Sequence, residues 1–378
     1  MSADHRLRLL AVQALYGDCL VVEARSQGVA RHVLIDGGPG GTYAEHLRPL
    51  LTRIAADGGI VDLAVLSHID NDHVTGLLEL LGEMRDPASG TSAGELPRIR
   101  RLWHNSFSQA VGSAELEPMI RRALAESDRT GIALPTIGGV MRGVGEGDAL
   151  RTSAMALDIP INGGFTGGHV LVRERAVELD DLVIHIVGPS EKILAKLRDV
   201  WMQWLKRHRR RGAAGEVLSV AADHSVPNLS SIVMLLLMEG RSLLLTGDAR
   251  GDQILDGMRE AGLLDKDGRR HVSVLKMPHH GSSRNAGREF LAAITADVYV
   301  FSADGRYGNP DHQCLVDVVE LAHEAGRPIE LAMTNRTPSG DRLSKTHPAK
   351  KFGYTVRLLP EGEGALSIDV PISRRDGG

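Results

Sequence analysis

The sequence predicts a mixed α/β fold, in which helices cover a sheet that carries both strand directions. Two observations predict it. Residues 7–13, 19–24 and 31–35 are short apolar runs separated by Tyr16-Gly17-Asp18 and Gln27-Gly28, the pattern of an antiparallel meander. A helix-period segment, an apolar run at 61–66 and a second helix-period segment at 74–84 then alternate, which sets helices against strands.

The third run ends in Asp36-Gly37-Gly38-Pro39-Gly40-Gly41. No Gly-Lys-Ser/Thr follows, so this is not a phosphate-binding loop. It reads as a tight strand-to-helix turn that needs positive φ, with Asp36 placed to orient a metal-ligating histidine from behind. Residues 43–56 form a helix with Leu47, Leu50, Leu51 and Ile54 on one face and Thr42 as cap. The helix at 74–84 buries Leu77, Leu78, Leu80 and Leu81. Between strand 61–66 and this helix lies Ser67-His68-Ile69-Asp70-Asn71-Asp72-His73. Two imidazoles and two carboxylates at a strand end are the neutral nitrogen and anionic oxygen donors of a zinc or manganese site. The plainer alternative is a polar turn with Asp72 as a helix cap.

Residues 86–180 define fewer elements: a loop around 87–94, a strand at 99–103 ending in Trp103-His104-Asn105, and a helix at 114–127. Glycines recur through 131–168, which reads as irregular chain or a cover over the site. His104 and His169 read first as surface or hydrogen-bonding residues and second as side chains reaching the metals.

Strand 182–187 leads into a long helix capped by Ser190, with Trp201 and Trp204 on its core face. That helix ends in Lys206-Arg207-His208-Arg209-Arg210-Arg211. The run is either cations complementing a helix C-terminus or a contact to a phosphate backbone through Arg209 and Arg210. Strands 229–238 and 242–246 follow, the second running into Thr246-Gly247-Asp248; then come helix 250–262 and strand 272–276, which delivers Lys276-Met277-Pro278-His279-His280-Gly281. Strand 297–301, the loop 302–312, helix 314–325, strand 328–334 and a terminal strand pair near 353–358 and 365–370 complete the chain.

Composition narrows the classes. A chain of 378 residues with 42% hydrophobic and 24% charged residues is that of a soluble globular protein, read as one domain with an insertion at about 86–180. A net charge of −4 excludes whole-surface attraction to polyanions or acidic membranes. Aromatic content of 3% argues against a broad base-stacking platform. The two cysteines, Cys19 and Cys314, are far apart, which fits a reducing compartment. The longest apolar stretch, 232–238, is strand-sized, and no basic-then-apolar leader opens the sequence. The chain therefore reads as cytoplasmic, without a membrane segment.

Taken in order, His68, Asp72, His73, Asp248 and the His279-His280 pair resemble the ligand slots of the metallo-β-lactamase-fold hydrolases. The signature there is His-x-His-x-Asp-His, a separate histidine, an aspartate after a strand, and a late histidine. The resemblance spans essentially the whole chain, most weakly at 86–180, and implies a four-layer αββα sandwich with a two-metal site at one edge of the sheets. Two departures stand out. Asp70 replaces the usual second histidine, and the third slot reads Asn228-Leu229-Ser230-Ser231-Ile232-Val233, with His224 nearby but out of register. Together with Lys276-x-x-His279-His280-Gly281-Ser282, these features resemble the branch containing the soluble metallohydrolase domain of ComEC/Rec2 DNA-uptake proteins and the choline-phosphate esterases. Gln13 to Asp18 and Tyr307-Gly308-Asn309-Pro310 are similar to that branch as well, which often has histidine where Asn309 stands.

This resemblance implies a metal-dependent phosphodiesterase, foremost a nuclease acting on DNA. Small phosphodiesters of the choline-phosphate or cyclic-nucleotide type are the alternative; thioester or lactam hydrolysis and a non-catalytic binding module stand behind them. The implied ligands are His68 and Asp70 for one ion and Asp72 and His73 for the other, with Asp248 as the bridge and His280 as a further ligand. The ions would be zinc or manganese, and a water shared between them would attack phosphorus. Asp72, His279 and Lys276 are the implied catalytic residues. His279 would hold the phosphate or protonate the leaving oxygen; Lys276 would steady a phosphate or else be an exposed strand-end lysine. Asn228, Tyr307, Asn309, Arg209 and Arg210 are the implied substrate contacts. Two divalent ions against Asp70, Asp72 and Asp248 leave about one positive charge, suited to a phosphodiester anion. The extra carboxylate makes manganese a rival to zinc.

Overall fold

A computed structural model describes residues 5–86, 95–105, 135–173, 175–196, 199 and 230–373. The chain opens with the expected meander: β1 (Arg6–Val12), β2 (Leu20–Ser26) and β3 (Val29–Ile35) pair antiparallel in sequence order. Gln27 and Gly28 both take positive φ at the β2–β3 turn, the backbone that a tight hairpin demands. A π-helical turn (Tyr43–Leu47) then runs into α1 (Arg48–Ala56). β4 (Val61–Leu66) pairs parallel to β3 and leads into α2 (Asn71–Arg85); β5 (Leu102–His104) pairs parallel to β4. α3 (Pro135–Ala156) follows.

The second half builds another sheet from β6 (Val177–Leu179), β7 (Leu182–Gly188), β8 (Val233–Met238) and β9 (Arg241–Leu245), then α4 (Gly251–Glu260), β10 (Arg270–Lys276), α5 (Arg288–Ala293), β11 (Ile294–Phe301), α6 (His312–Glu324) and β12 (Ile329–Met333). α7 (Pro338–Thr346), α8 (Ala349–Phe352), β13 (Tyr354–Leu358) and β14 (Ala365–Asp369) end it. The six-stranded sheet has the order β14-β1-β2-β3-β4-β5 and the eight-stranded sheet β13-β12-β11-β10-β9-β8-β7-β6.

Three hydrophobic cores separate four layers. Leu63 and Val65 of β4 point to the core shared with Leu243 and Leu245 of β9. The alternate residues Ala64 and Leu66 join Leu51, Ile54, Leu77 and Leu81 of α1 and α2. On the other side Leu244 and Leu275 pack on Ile254, Met258, Leu315 and Val319 of α4 and α6. Strands buried on both faces read as continuous apolar runs rather than alternating ones, which is why 61–66 and 232–238 look as they do. Helices, two sheets and helices again make the αββα sandwich.

Several expectations need correction. Thr42 does not cap: it is itself helical (φ −56°, ψ −43°) and makes no capping bond, because the α-type bond from Glu45 N to Gly41 O starts the helix before the π turn. Leu78 is half-buried, while Leu77, Leu80 and Leu81 face the core. The terminal strands are not partners. β13 adds parallel to β12 in the larger sheet, and β14 adds antiparallel to β1 in the smaller one. Within the glycine-rich stretch, residues 135–156 are helical and not irregular; Leu150 and Ala154 sit in the core beneath α2. A glycine costs roughly 1 kcal/mol in a helix, but a Cβ on Gly147 would lie 3.1 Å from Ile69 and 3.2 Å from the His104 ring, so close packing needs a glycine there. The helix expected at 114–127, the tryptophans at 201 and 204, and the basic run 206–211 lie outside the described residues. Among the described residues, no helix is long and apolar enough to cross a membrane.

Candidate metal centre

The carboxyl ends of β1, β3, β4, β9, β10 and β11 all reach the same edge of the sandwich. Every chemistry-bearing segment follows one of them. Asp18 lies in the turn after β1, Asp36 after β3, the His68–His73 motif after β4, Asp248 after β9, His279-His280 after β10, and Ser302 after β11. The backbone is bent to hold them there. Asp36, His279 and His280 adopt φ of 59°, 47° and 56°, left-handed values that cost non-glycine residues energy and concentrate at functional sites.

Asp248 divides the cluster. Its Oδ2 lies 3.7 Å from His68 Nε2 and 3.5 Å from His279 Nε2. Its Oδ1 lies 3.6 Å from His73 Nε2 and 3.7 Å from His280 Nε2. Asp70 Oδ2 stands 3.5 Å from His68 Nε2; Asp72 Oδ2 stands 3.8 Å from His73 and 3.5 Å from His280. These separations are too long for hydrogen bonds. They are close to the spacing, roughly 3–3.5 Å, of donors held at about 2.0–2.2 Å around one ion.

Each buried imidazole is fixed from behind. His73 Nδ1 donates to Asp36 Oδ2 at 2.8 Å, and the same carboxylate accepts from Ser67 N and Oγ, both at 2.7 Å. His280 Nδ1 donates to the Ser302 carbonyl at 2.9 Å. Ser67 Oγ lies 3.1 Å from His68 Nδ1. A histidine whose Nδ1–H is committed in this way presents the Nε2 lone pair to a metal. His279 Nδ1 is 3.2 Å from Asn285 Oδ1, and Asn285 Nδ2 also donates to the Asp248 carbonyl at 3.0 Å.

The donor set fits divalent metal. His68 Nε2, His73 Nε2, His280 Nε2 and Asp248 Oδ1 are buried without a hydrogen-bond partner among the described residues, which is costly unless something else satisfies them. Four groupings of donor atoms share this region: His68–His73–Asp248, Asp72–His73–His280, Asp18–Asp248–His280 and Asp18–Asp36–His73; Asp70 and His279 join none of them. The electrostatics agree. Burial alone would push His73 and His280 down, yet Asp248 and its neighbouring carboxylates raise both, His280 to about 10. Burial alone would raise Asp248, yet His279, His280 and His73 hold it well below the usual carboxylate range. The cluster of carboxylates calls for positive charge, and divalent ions supply it.

Placement of the remaining expected residues is uneven. Lys276 is neither at a substrate surface nor exposed; it is fully buried, with its ammonium against Asp18. Asn309 Nδ2 donates to the His279 carbonyl at 3.1 Å, so it holds the ligand loop. Tyr307 is exposed at the rim. Asp72 lies in the first turn of α2 and is not its cap; the residue before that helix is Asp70. His104 and His169 join no donor grouping, and His104 is buried and held neutral, its pKa lowered to about 3 by burial and then by Arg151. Asn228, Arg209, Arg210 and His224 lie outside the described residues. Sequence reading missed Asp18 as part of this edge, although it sits in a turn already singled out; its charge is matched by Lys276, and its Oδ1 lies 3.4 Å from His280 Nδ1.

Residues 12–163 match the family model of the metallo-beta-lactamase superfamily; this span runs from the end of β1 past α3 and contains the His68–His73 motif. No sequence among curated proteins matches significantly. Two solved structures are similar. The metallo-beta-lactamase fold protein YhfI from Bacillus subtilis shares 10% identity over 96% of this chain and 99% of that one, with a TM-score of 0.38. Zn(2+)-bound PqqB from Methylobacterium extorquens shares 9% identity over 96% and 100%, with a TM-score of 0.41. The two-sheet sandwich and the family match give the metallo-β-lactamase fold, and with the His/Asp clusters they indicate a metal-dependent hydrolase.

Proposed function

We propose that the chain is a two-metal phosphodiesterase whose foremost substrate is DNA, cleaved as a nuclease. The observation that carries this reading is the division of the site by Asp248, one carboxylate oxygen toward His68 and His279 and the other toward His73 and His280. Two half-sites joined by a carboxylate suit chemistry in which the attacking and leaving oxygens of a displacement both need support. His68, Asp70 and Asp248 would hold one ion; Asp72, His73, His280 and Asp248 would hold the other. When bound, such ions supply Lewis acidity and lower the pKa of water to about 7.

The chain's own residues do the rest. Asp36 and the Ser302 carbonyl keep His73 and His280 in the ligating tautomer. His279 is the most exposed of the four imidazoles, with its side chain 31% accessible, and is placed to meet the phosphate or give a proton to the leaving oxygen. Asp70 in place of imidazole keeps the ligand set rich in oxygen, which favours a harder ion such as manganese beside zinc. The ligand carboxylates leave about one positive charge over two divalent ions, which favours an anionic substrate over a neutral thioester or lactam.

A panel of linear DNA, RNA, a cyclic dinucleotide, a choline phosphodiester and a thioester, each with zinc, manganese and magnesium, tests the reading. DNA turnover with manganese or zinc, lost in Asp248→Ala while the protein stays folded, is the expected result. Thioester turnover without any phosphodiester turnover would overturn it.

A further inference from the structure

Two loops from opposite sheets meet above the metal centre and bring together three side chains. Tyr16 comes from the β1–β2 turn; Arg306 and Tyr307 come from the loop between β11 and α6. Tyr16 and Tyr307 pack edge to face, centroids 5.2 Å apart and planes at 89°. The Arg306 guanidinium lies over the Tyr16 ring, 4.6 Å from its centroid. Tyr307 is 72% exposed, and it is the one aromatic among the exposed large apolar side chains of the described residues.

Both loops are bound to the ligand residues themselves. A Cβ on Gly17 would fall 2.1 Å from the Asp72 carbonyl, so the Tyr16 turn rests directly on the metal motif. Asp18 N donates to that same carbonyl at 3.2 Å. Ser302 Oγ, at the start of the second loop, donates to the Gly17 carbonyl at 2.6 Å, and Asn309, at its end, donates to the His279 carbonyl. The cluster is thus a built rim on the metal edge and not an incidental surface contact.

We infer that Tyr16, Arg306 and Tyr307 form a subsite for one nucleotide unit next to the scissile phosphodiester, with the base on the Tyr307 ring and a phosphate on Arg306. The inference rests on the phosphodiesterase reading and narrows its substrate class. The exposed face of Tyr307 offers the sequence-tolerant stacking that bases use. A quaternary ammonium also seeks tyrosine faces, but here a guanidinium already occupies Tyr16, and a second cation would be repelled. Arg306 Nε is 3.6 Å from Asp304 Oδ2, a long contact that leaves the half-exposed guanidinium able to pair with a phosphate. The pairing of aromatic face and cation therefore selects a planar, anionic group over a choline-type headgroup.

Equilibrium binding of dAMP, deoxyribose 5-phosphate and phosphocholine to the metal-loaded protein tests this. The expected order is dAMP tightest, by about tenfold over deoxyribose 5-phosphate as one stacked base allows, and phosphocholine weakest. Tyr307→Ala should bring dAMP down to the deoxyribose 5-phosphate level, and Tyr307→Phe should keep the gap. Arg306→Gln should weaken all three, since each carries a phosphate, and should narrow the gap to phosphocholine by relieving the repulsion of its ammonium. Equal binding of dAMP and deoxyribose 5-phosphate, or a base preference that survives Tyr307→Ala, would overturn the subsite. Base-dependent binding without turnover of any phosphodiester would support the subsite while removing the phosphodiesterase reading, so the two fail separately.

Discussion

Lys276 and Asp18 form an ion pair shielded from solvent, and Asp18 in turn meets His280 on the ring edge opposite the ligand cluster. Lys276 is the last residue of β10, three before His279, so the strand that delivers the paired histidines also delivers the cation that neutralises the carboxylate behind them. The Asp18 carboxyl is held below its usual range: burial would raise it, but Lys276 and then His280 outweigh burial. Removing one partner of a buried pair leaves an uncompensated charge, typically worth about 3–5 kcal/mol. Lys276→Met should lower the unfolding free energy by that order, and the denaturation midpoint with it, and the double change Asp18→Asn with Lys276→Met should recover much of it. Urea denaturation of the three proteins checks this; an unchanged midpoint in Lys276→Met would mean that the pair does not hold this edge together.

Asp70 is the residue that would turn the proposed ligand set from imidazole toward oxygen. Its side chain is partly exposed, and its Oδ2 lies 3.5 Å from His68 Nε2. Exchanging that carboxylate for a softer nitrogen donor should move preference from manganese toward zinc. Asp70→His is expected to raise the zinc-over-manganese binding ratio by about tenfold or more, measured by competition between the two ions at equal free concentration. A ratio that does not move would place Asp70 outside the coordination sphere.

The candidate donors are legible because each lies close behind a strand end, where an apolar run gives way to histidine and aspartate. His68, Asp72, His73, Asp248 and His280 all follow that rule. The Lys276–Asp18 pair and the Tyr16–Arg306–Tyr307 rim were not legible as contacts, because their partners come from opposite ends of the chain and no local period links them. For the same reason β13 and β14 read as a pair: both are short strands with a turn between them, and which sheet each joins is decided by β12 and β1. Gly147 is hidden for another reason: glycine lowers helix propensity, whereas contact with Ile69 and His104 requires the smallest residue inside a helix.

His104 supplies a pH test that does not depend on the metals. It ends β5 fully buried, and neither ring nitrogen has a hydrogen-bond partner among the described residues. Burial, aided by the Arg151 cation, lowers its pKa to about 3, against about 6.5 in an unfolded chain. Between those values the unfolded chain takes up a proton that the folded one refuses. The contribution of neutral His104 is therefore fully present above pH 6.5 and is lost progressively as pH falls toward 3. At pH 5 the loss from this residue is roughly 2 kcal/mol. His104→Phe, which cannot take up that proton in either state, should lose less stability than the unaltered chain when the pH is lowered from 7.5 to 5. Urea denaturation of both proteins at the two pH values measures the difference; equal losses would show that His104 is protonated in the fold.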